Sequence, residues 1–197
     1  MAVLQSERVW VSDITYIRVG SKFYYLILIT DVYSKKVVGY NFGDTMDADF
    51  CLKALREALA QREYPERKLI HHSDRGVQYC SHKYTEVLRQ NGIDISMTES
   101  GSPYENPLAE RMNRTFKDRF DIGRTFSSAF EAQRAVNQSI AYYNGRIPHS
   151  SCDMMTPNEA HHKQGELKRH WKTPAERKAT KIQKPEVLKS QSRSLTS

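Results

Sequence analysis

Three acidic residues, far apart in the chain, stand where an uncompensated charge needs a reason. Asp74 follows Leu69 and Ile70 in KLIHHSDRGVQYC (68–80), so a carboxylate sits at the exit of a strand that the pattern predicts to be buried. Asp13 lies inside RVWVSDITYIRV (8–19), in the pleat phase of Val9, Val11, Ile17 and Val19. A carboxylate in an apolar phase is costly unless it is paired, binds a metal, or faces water from an edge strand. Glu110 falls near the start of a helix expected over 107–120, with Pro107 suited to its first turn. On that helix Leu108, Met112, Thr115, Phe116 and Phe120 form an apolar stripe, and Glu110, Asn113, Arg114 and Lys117 fall on the other side. Taken singly, Glu110 belongs to an ordinary solvated face. Together, three acids converging at the ends of central elements form an oxygen-rich site suited to magnesium or manganese. Two such ions can flank a scissile phosphate, one activating the attacking oxygen and the other stabilising the leaving one. No serine, tyrosine or cysteine is set beside an evident base, so no covalent nucleophile is expected.

The elements that must position these acids are legible in outline. Strands are expected over 8–19, 23–31 and 36–42, with Gly20-Ser21-Lys22 as the first turn, forming an antiparallel meander. A helix follows over 47–62, with Cys51, Leu52, Leu55, Ala58 and Leu59 at helical spacing, then a strand at 68–72. Ser81 caps a helix bearing Tyr84, Val87 and Leu88 that stops at Asn91-Gly92, and IDIS (93–96) is a fifth strand. The loop 99–107 leads to the helix carrying Glu110. A further helix begins at Ser128, where Ser-x-x-Glu131 predicts a capping box, and it ends near Asn144-Gly145. Three antiparallel strands followed by alternating helices and strands imply an α/β fold, a five-stranded mixed sheet with helices on both faces.

Composition narrows the partners. With 39% hydrophobic residues in 197, a packed core is expected, and the longest apolar run, Phe23 to Ile29, is too short to cross a bilayer. The N-terminus lacks the charged-then-apolar pattern of a secretory signal. Cys51, Cys80 and Cys152 are scattered, which suits reduced thiols in a cytoplasmic protein. The net charge of +7 is carried entirely by residues 163–197, which hold 10 Lys and Arg against 3 acids, while residues 1–162 hold 20 of each. The expectation is therefore a core over 1–162 and a basic, flexible tail over 163–197, the tail serving either solubility or a polyanionic partner.

The stretches WVSDIT (10–15), HHSDRGVQYC (71–80), ISMTESGSPYENPLAERMNRTFK (95–117), YYNGRIPH (142–149) and TPNEA (156–160) carry a resemblance. In this order they resemble the catalytic core of bacterial transposases of the insertion-sequence-three type, within the retroviral-integrase superfamily and its RNase H-like fold. The likeness covers roughly residues 8–161. It implies that Asp13, Asp74 and Glu110 are the family's D, D and E, with the 35-residue gap between the last two. It implies hydrolysis of a DNA 3′ end and attack of the 3′-OH on another phosphodiester, with Mg2+ or Mn2+, two ions, and no covalent intermediate. It further implies a bacterial, nucleoid-associated cytoplasmic protein that works on transposon-end and target DNA as a homo-oligomer.

Lys117 matches the basic residue that contacts DNA near the transposon end. Asn113 and Arg114 share its helix side, and Tyr142 and Arg146 are candidates for the DNA path. An integrase-like site uses oxygen ligands, which leaves His72 to orient Asp74 or to pack. Arg75 and Gly76 are expected to shape the turn that aims Asp74, Gly76 through backbone freedom. Family members usually place a helix-turn-helix region before the core, which here begins almost at once, and Arg119 stands where an acid is common. A domesticated, non-catalytic copy that only binds DNA is the alternative, and an RNase H-like nuclease is a second enzymatic one.

Overall fold

The structure, a computed structural model, describes residues 3–99 and 106–171. Its sheet is built from β1 (Val9–Val19), β2 (Lys22–Asp31), β3 (Val37–Gly43), β4 (Ile70–Ser73) and β5 (Asp94–Met97), in the order β3-β2-β1-β4-β5. The first three strands pair antiparallel, and β1–β4 and β4–β5 pair parallel. A sixth strand, β6 (Thr125–Phe126), adds to the expected five by pairing parallel with β1 at Arg18 and Val19. Two residues are too few for any periodicity to announce.

Helices α1 (Ala48–Ala60) and α2 (His82–Gln90) cover one face, and α3 (Pro107–Arg119) and α4 (Ala129–Arg146) the other; a short α5 (Pro157–His161) follows. Because β2 lies between two cores, Ile27 and Ile29 pack toward α1 while Leu26 and Leu28 pack toward α3 and α4. That is why its sequence is an unbroken apolar run. Burial of both faces makes β1 central, which removes the edge-strand explanation for Asp13. The α1 backbone lies directly on β3 at Gly39, where a Cβ would stand 2.3 Å from the carbonyl oxygen of Ala54.

Capping follows the sequence with one displacement. Asp47 and Ser81 cap α1 and α2 as their side chains accept from Phe50 N and Tyr84 N. Ser128 caps α4, but Glu131 accepts from the backbone N–H and hydroxyl of Ser127, one residue earlier than a reciprocal box requires. The complete capping box is Thr156 with Glu159 at α5.

Buried polar groups fasten the end of the sheet where β1 begins and β2 ends. Glu7, fully buried, accepts from the backbone N–H of Glu63 and Tyr64, pairs with Arg62 at 3.2 Å and faces His161 Nε2 at 3.4 Å. Asp31 accepts from Glu7 N and Ser34 N, and Ser34 Oγ lies 2.9 Å from His161 Nδ1. The segment after residue 162, expected to be tail, stays on the body through residue 171: Gly165 N donates to Leu4 O, and His170 N to Ser150 O. Residues 172–197 lie outside the described residues, as does the loop containing Gly101, Ser102 and Pro103. Among the described residues no helix is long and apolar enough to cross a membrane.

Candidate active site

Strand register brings the first two acids together. β1 and β4 pair with Val9 opposite Ile70, Trp10 opposite His71 and Val11 opposite His72, so the same offset sets Asp13 opposite Asp74 just beyond the end of β4. Neighbouring strands run about 4.8 Å apart. Alternation puts the two carboxylates on one face. His71 turns to the opposite face, where its Nε2 lies 3.0 Å from Tyr84 Oη, and Ser12 Oγ lies 2.8 Å from Tyr79 Oη on that same side.

The third acid arrives on α3, which packs across β1 and β2. Two amides fasten this helix. Asn106, at its N-terminal boundary, donates to Ser12 O at 3.0 Å rather than capping its own helix, and Asn113, one helical face along, donates to Asp13 Oδ2 at 2.8 Å. Both are buried. Asn113 was expected on the DNA-facing side; the structure turns its side chain inward onto the strand. Glu110 is exposed at the rim, on a cleft of ≈ 300 Å³ lined also by Asp13, Thr15, Asn113, Arg114 and Lys117. Asp118, which the sequence did not single out, joins this lining and lies 3.9 Å from Arg114.

Burial, the largest influence, and the charges of Asp74 and Glu110 push the Asp13 carboxyl up to about 6, against donation from Ile14 N and the Asn113 amide. Asp13 is thus within electrostatic reach of both other acids. They do not share one coordination shell, for among the described residues no three His, Cys, Asp or Glu side chains are grouped to hold an ion. The hydrogen bonds account for the separation: Asp13 is held by Ile14 N and Asn113, Asp74 Oδ1 by Gly76 N at 2.9 Å, and Glu110 stays at the rim. Among the described residues no lysine or arginine pairs with any of the three. The buried Asn113 Oδ1 has no hydrogen-bond partner among the described residues. Uncompensated carboxylates beside an orphaned amide oxygen are a donor set that fits a hard divalent cation.

The supporting residues sort by distance from this cleft. Gly76 lacks room rather than needing freedom: a Cβ would come within 2.7 Å of Gln78 Oε1 and 3.0 Å of Asp74 Oδ1, and its φ is not positive. Arg75 Nε donates to Thr98 O at 2.7 Å, tying the Asp74 turn to the end of β5. His72 Nδ1 lies 2.9 Å from Ser96 Oγ across the β4–β5 pair. Tyr142, 56% exposed, packs edge-on against Phe120, and Arg146 is exposed at the end of α4; neither lines the cleft. The roles of Asn106 and Asn113 were missed because each partner lies on β1, about 100 residues away, and no local pattern encodes the pairing.

Comparison with known proteins agrees with this architecture. An integrase core domain model matches residues 4–103, and a second integrase core domain model matches residues 91–157. The transposase for insertion sequence element IS904 of Lactococcus lactis is 34% identical over 157 residues, covering 78% of this chain and 60% of that protein. Transposase InsF for insertion sequence IS3A of Escherichia coli is 34% identical over 156 residues, covering 78% of this chain and 54% of InsF. The chain therefore spans little more than half the length of these curated relatives. The HTLV-2 integrase catalytic core domain, solved in complex with magnesium in a trimeric form, shares the fold with a TM-score of 0.65 at 17% identity, covering 82% of this chain and 100% of that one.

Proposed function

The chain belongs to the integrase core domain family, among the insertion-sequence transposases, and from that premise we propose that it is the catalytic core for divalent-metal-dependent cleavage of a DNA 3′ end and transfer of that end to a second phosphodiester. One observation carries the reading. A carboxylate on the central strand, its charge disfavoured by burial and by two further acids, forms no ion pair with a lysine or arginine among the described residues. A stable fold has no use for such a charge unless a cation joins it.

Asp13, Asp74 and Glu110 would hold the metal, two ions where both oxygens of the displacement are served, and magnesium is the first to test because the HTLV-2 core was solved with it. When bound, the metal supplies Lewis-acid stabilisation of charge on the phosphodiester. The chain's own residues do the rest. Asn113 keeps Asp13 ionised and oriented. Gly76 N fixes one oxygen of Asp74. Glu110, exposed at the rim, is free to swing into the cleft as substrate and cation arrive. Lys117 and Arg114, on the same wall, meet the DNA backbone. In this reading attack falls to water and then to the DNA 3′-OH. DNA ends and target are the partners, and assembly as a homo-oligomer on DNA belongs to the same proposal.

The test is nicking and joining of transposon-end DNA by the 197-residue chain with manganese. Glu110→Gln should abolish both while leaving DNA binding measurable. Cleavage that persists in that variant removes Glu110 from the chemistry.

A further inference from the structure

A second, larger cavity of ≈ 570 Å³ lies on the other flank of α3. Leu108 and Arg111 of α3 form one wall, Lys35 of the β2–β3 turn another, and Glu166, Arg169 and Trp171 of the closing segment the third. Its volume is in the range of small-ligand sites, roughly 300–1,000 Å³.

The charges in this groove are unbalanced. Lys35 is half-buried and its ammonium donates to the carbonyl of Val32, not to an acid. Among the described residues neither Lys35 nor Arg111 forms an ion pair. Burial first, and the Arg111 charge with it, pushes the Lys35 ammonium below its ordinary value, against opposing pulls from Cys152 and Asp31. Three cations, Lys35, Arg111 and Arg169, thus face one cavity in which Glu166 is the only acid among the described lining residues. Trp171 stands beside them, 40% exposed, with the Arg169 guanidinium 5.4 Å from its ring centre. Cations that can grip a phosphate, next to an indole open to stacking, are the combination that binds single-stranded nucleic acid.

We propose that this groove binds a nucleotide of single-stranded DNA, the phosphate between Lys35 and Arg111 and the base against Trp171. The inference rests on the reading of the chain as a DNA-acting enzyme. It adds a second contact on the far flank of the helix that carries Glu110, so that one helix separates the carboxylate cleft from a strand-holding groove.

The 197-residue chain is titrated with a short oligothymidylate while tryptophan emission is followed. Trp10 is fully buried, so quenching reports on Trp171. Saturable quenching is expected. Trp171→Ala, which lacks the reporter and is followed instead by the anisotropy of a labelled oligothymidylate, should weaken binding about tenfold, the worth of one stacked base. Arg111→Ala should lower the salt slope of the affinity by about one. Lys35→Asn, chosen because Lys35 has φ +66°, should do the same, and exposed Arg111 carries the test if that variant fails to fold. Unchanged emission at saturating oligonucleotide, or an unchanged slope in Arg111→Ala, overturns the proposal. So does an Arg111→Ala effect confined to self-association in sedimentation, which would make the groove a protein interface. Lys117→Ala distinguishes the two readings: if it weakens DNA binding while Trp171 stays unquenched, the groove fails and the cleft stands.

Discussion

Asn113 on α3 donates its side-chain amide to Asp13 Oδ2 on β1 at 2.8 Å, across 100 residues of sequence. The bond joins a helix to the central strand at an acid whose charge burial disfavours. It also couples two tasks, because whatever moves α3 alters the protonation of Asp13.

Removing that amide should therefore be read in pH. Donation to a carboxylate favours its ionised form, so Asn113→Ala should raise the Asp13 carboxyl above about 6. Manganese affinity measured calorimetrically from pH 5.5 to 8 should show its midpoint displaced upward by about half to one pH unit, the worth of one charged hydrogen bond. A displacement in the acid direction would contradict the role assigned to the amide.

Asp13→Asn should stabilise the metal-free protein. Asp13 holds its proton to about 6 in the fold against 3.8 ordinarily, so its effect on stability is favourable at low pH and is lost as pH rises through that range. At pH 7.5 the variant should gain about 1–3 kcal/mol by urea unfolding, an advantage that vanishes near pH 4. Magnesium should raise the wild-type midpoint and leave that of the variant unmoved. Equal midpoints without metal at pH 7.5 would refute the burial argument.

Glu7→Gln should act in the opposite sense. Burial pushes the Glu7 carboxyl up, but the His161 hydrogen bond and the N–H groups of Glu63 and Tyr64 outweigh it, leaving the carboxyl below its ordinary 4.5. Its stabilisation is present above 4.5 and lost as pH falls through the lowered value. The variant should lose about 3 kcal/mol at pH 7, since Arg62 is left buried and unpaired, and should acidify with a shallower stability loss than wild type. Parallel acid profiles would show that Glu7 is a bystander.

Gly76→Ala should separate activity from stability. Its Cβ would press on Gln78 Oε1 and Asp74 Oδ1, while the site lies at the end of β4 outside both core clusters. Metal-dependent nicking should fall about tenfold or more, the expected result of misplacing a catalytic group by a fraction of an ångström. The thermal midpoint should move by only a few degrees. A large drop in that midpoint would assign Gly76 to the fold and not to Asp74.

The sequence was most informative where a period exposes an anomaly. Asp13 shares a pleat phase with Val11, Ile17 and Val19, and Asp74 ends an apolar run, so both invited a reason for a carboxylate. Helical spacing gave the apolar stripe of α3 through Met112 and Phe116. It misassigned Asn113 to the side opposite the stripe, because its inward turn depends on Asp13 rather than on any neighbour. The segment 163–171 looked like the start of a tail because its composition is polar. Its attachments at Gly165 N and His170 N are backbone bonds, to which composition is blind. For β6, pairing through Thr125 and Phe126 is decided by the space beside Arg18 and Val19, information that resides in the assembled sheet.

The order in which the acids occur along the polypeptide has a bearing on safety. Synthesis that has passed β5 has delivered both strand carboxylates but not α3, and with it neither Glu110 nor the amide that steadies Asp13. Under the proposed chemistry a copy synthesised only as far as β5 cannot cut, and competence arrives only once α3 has followed.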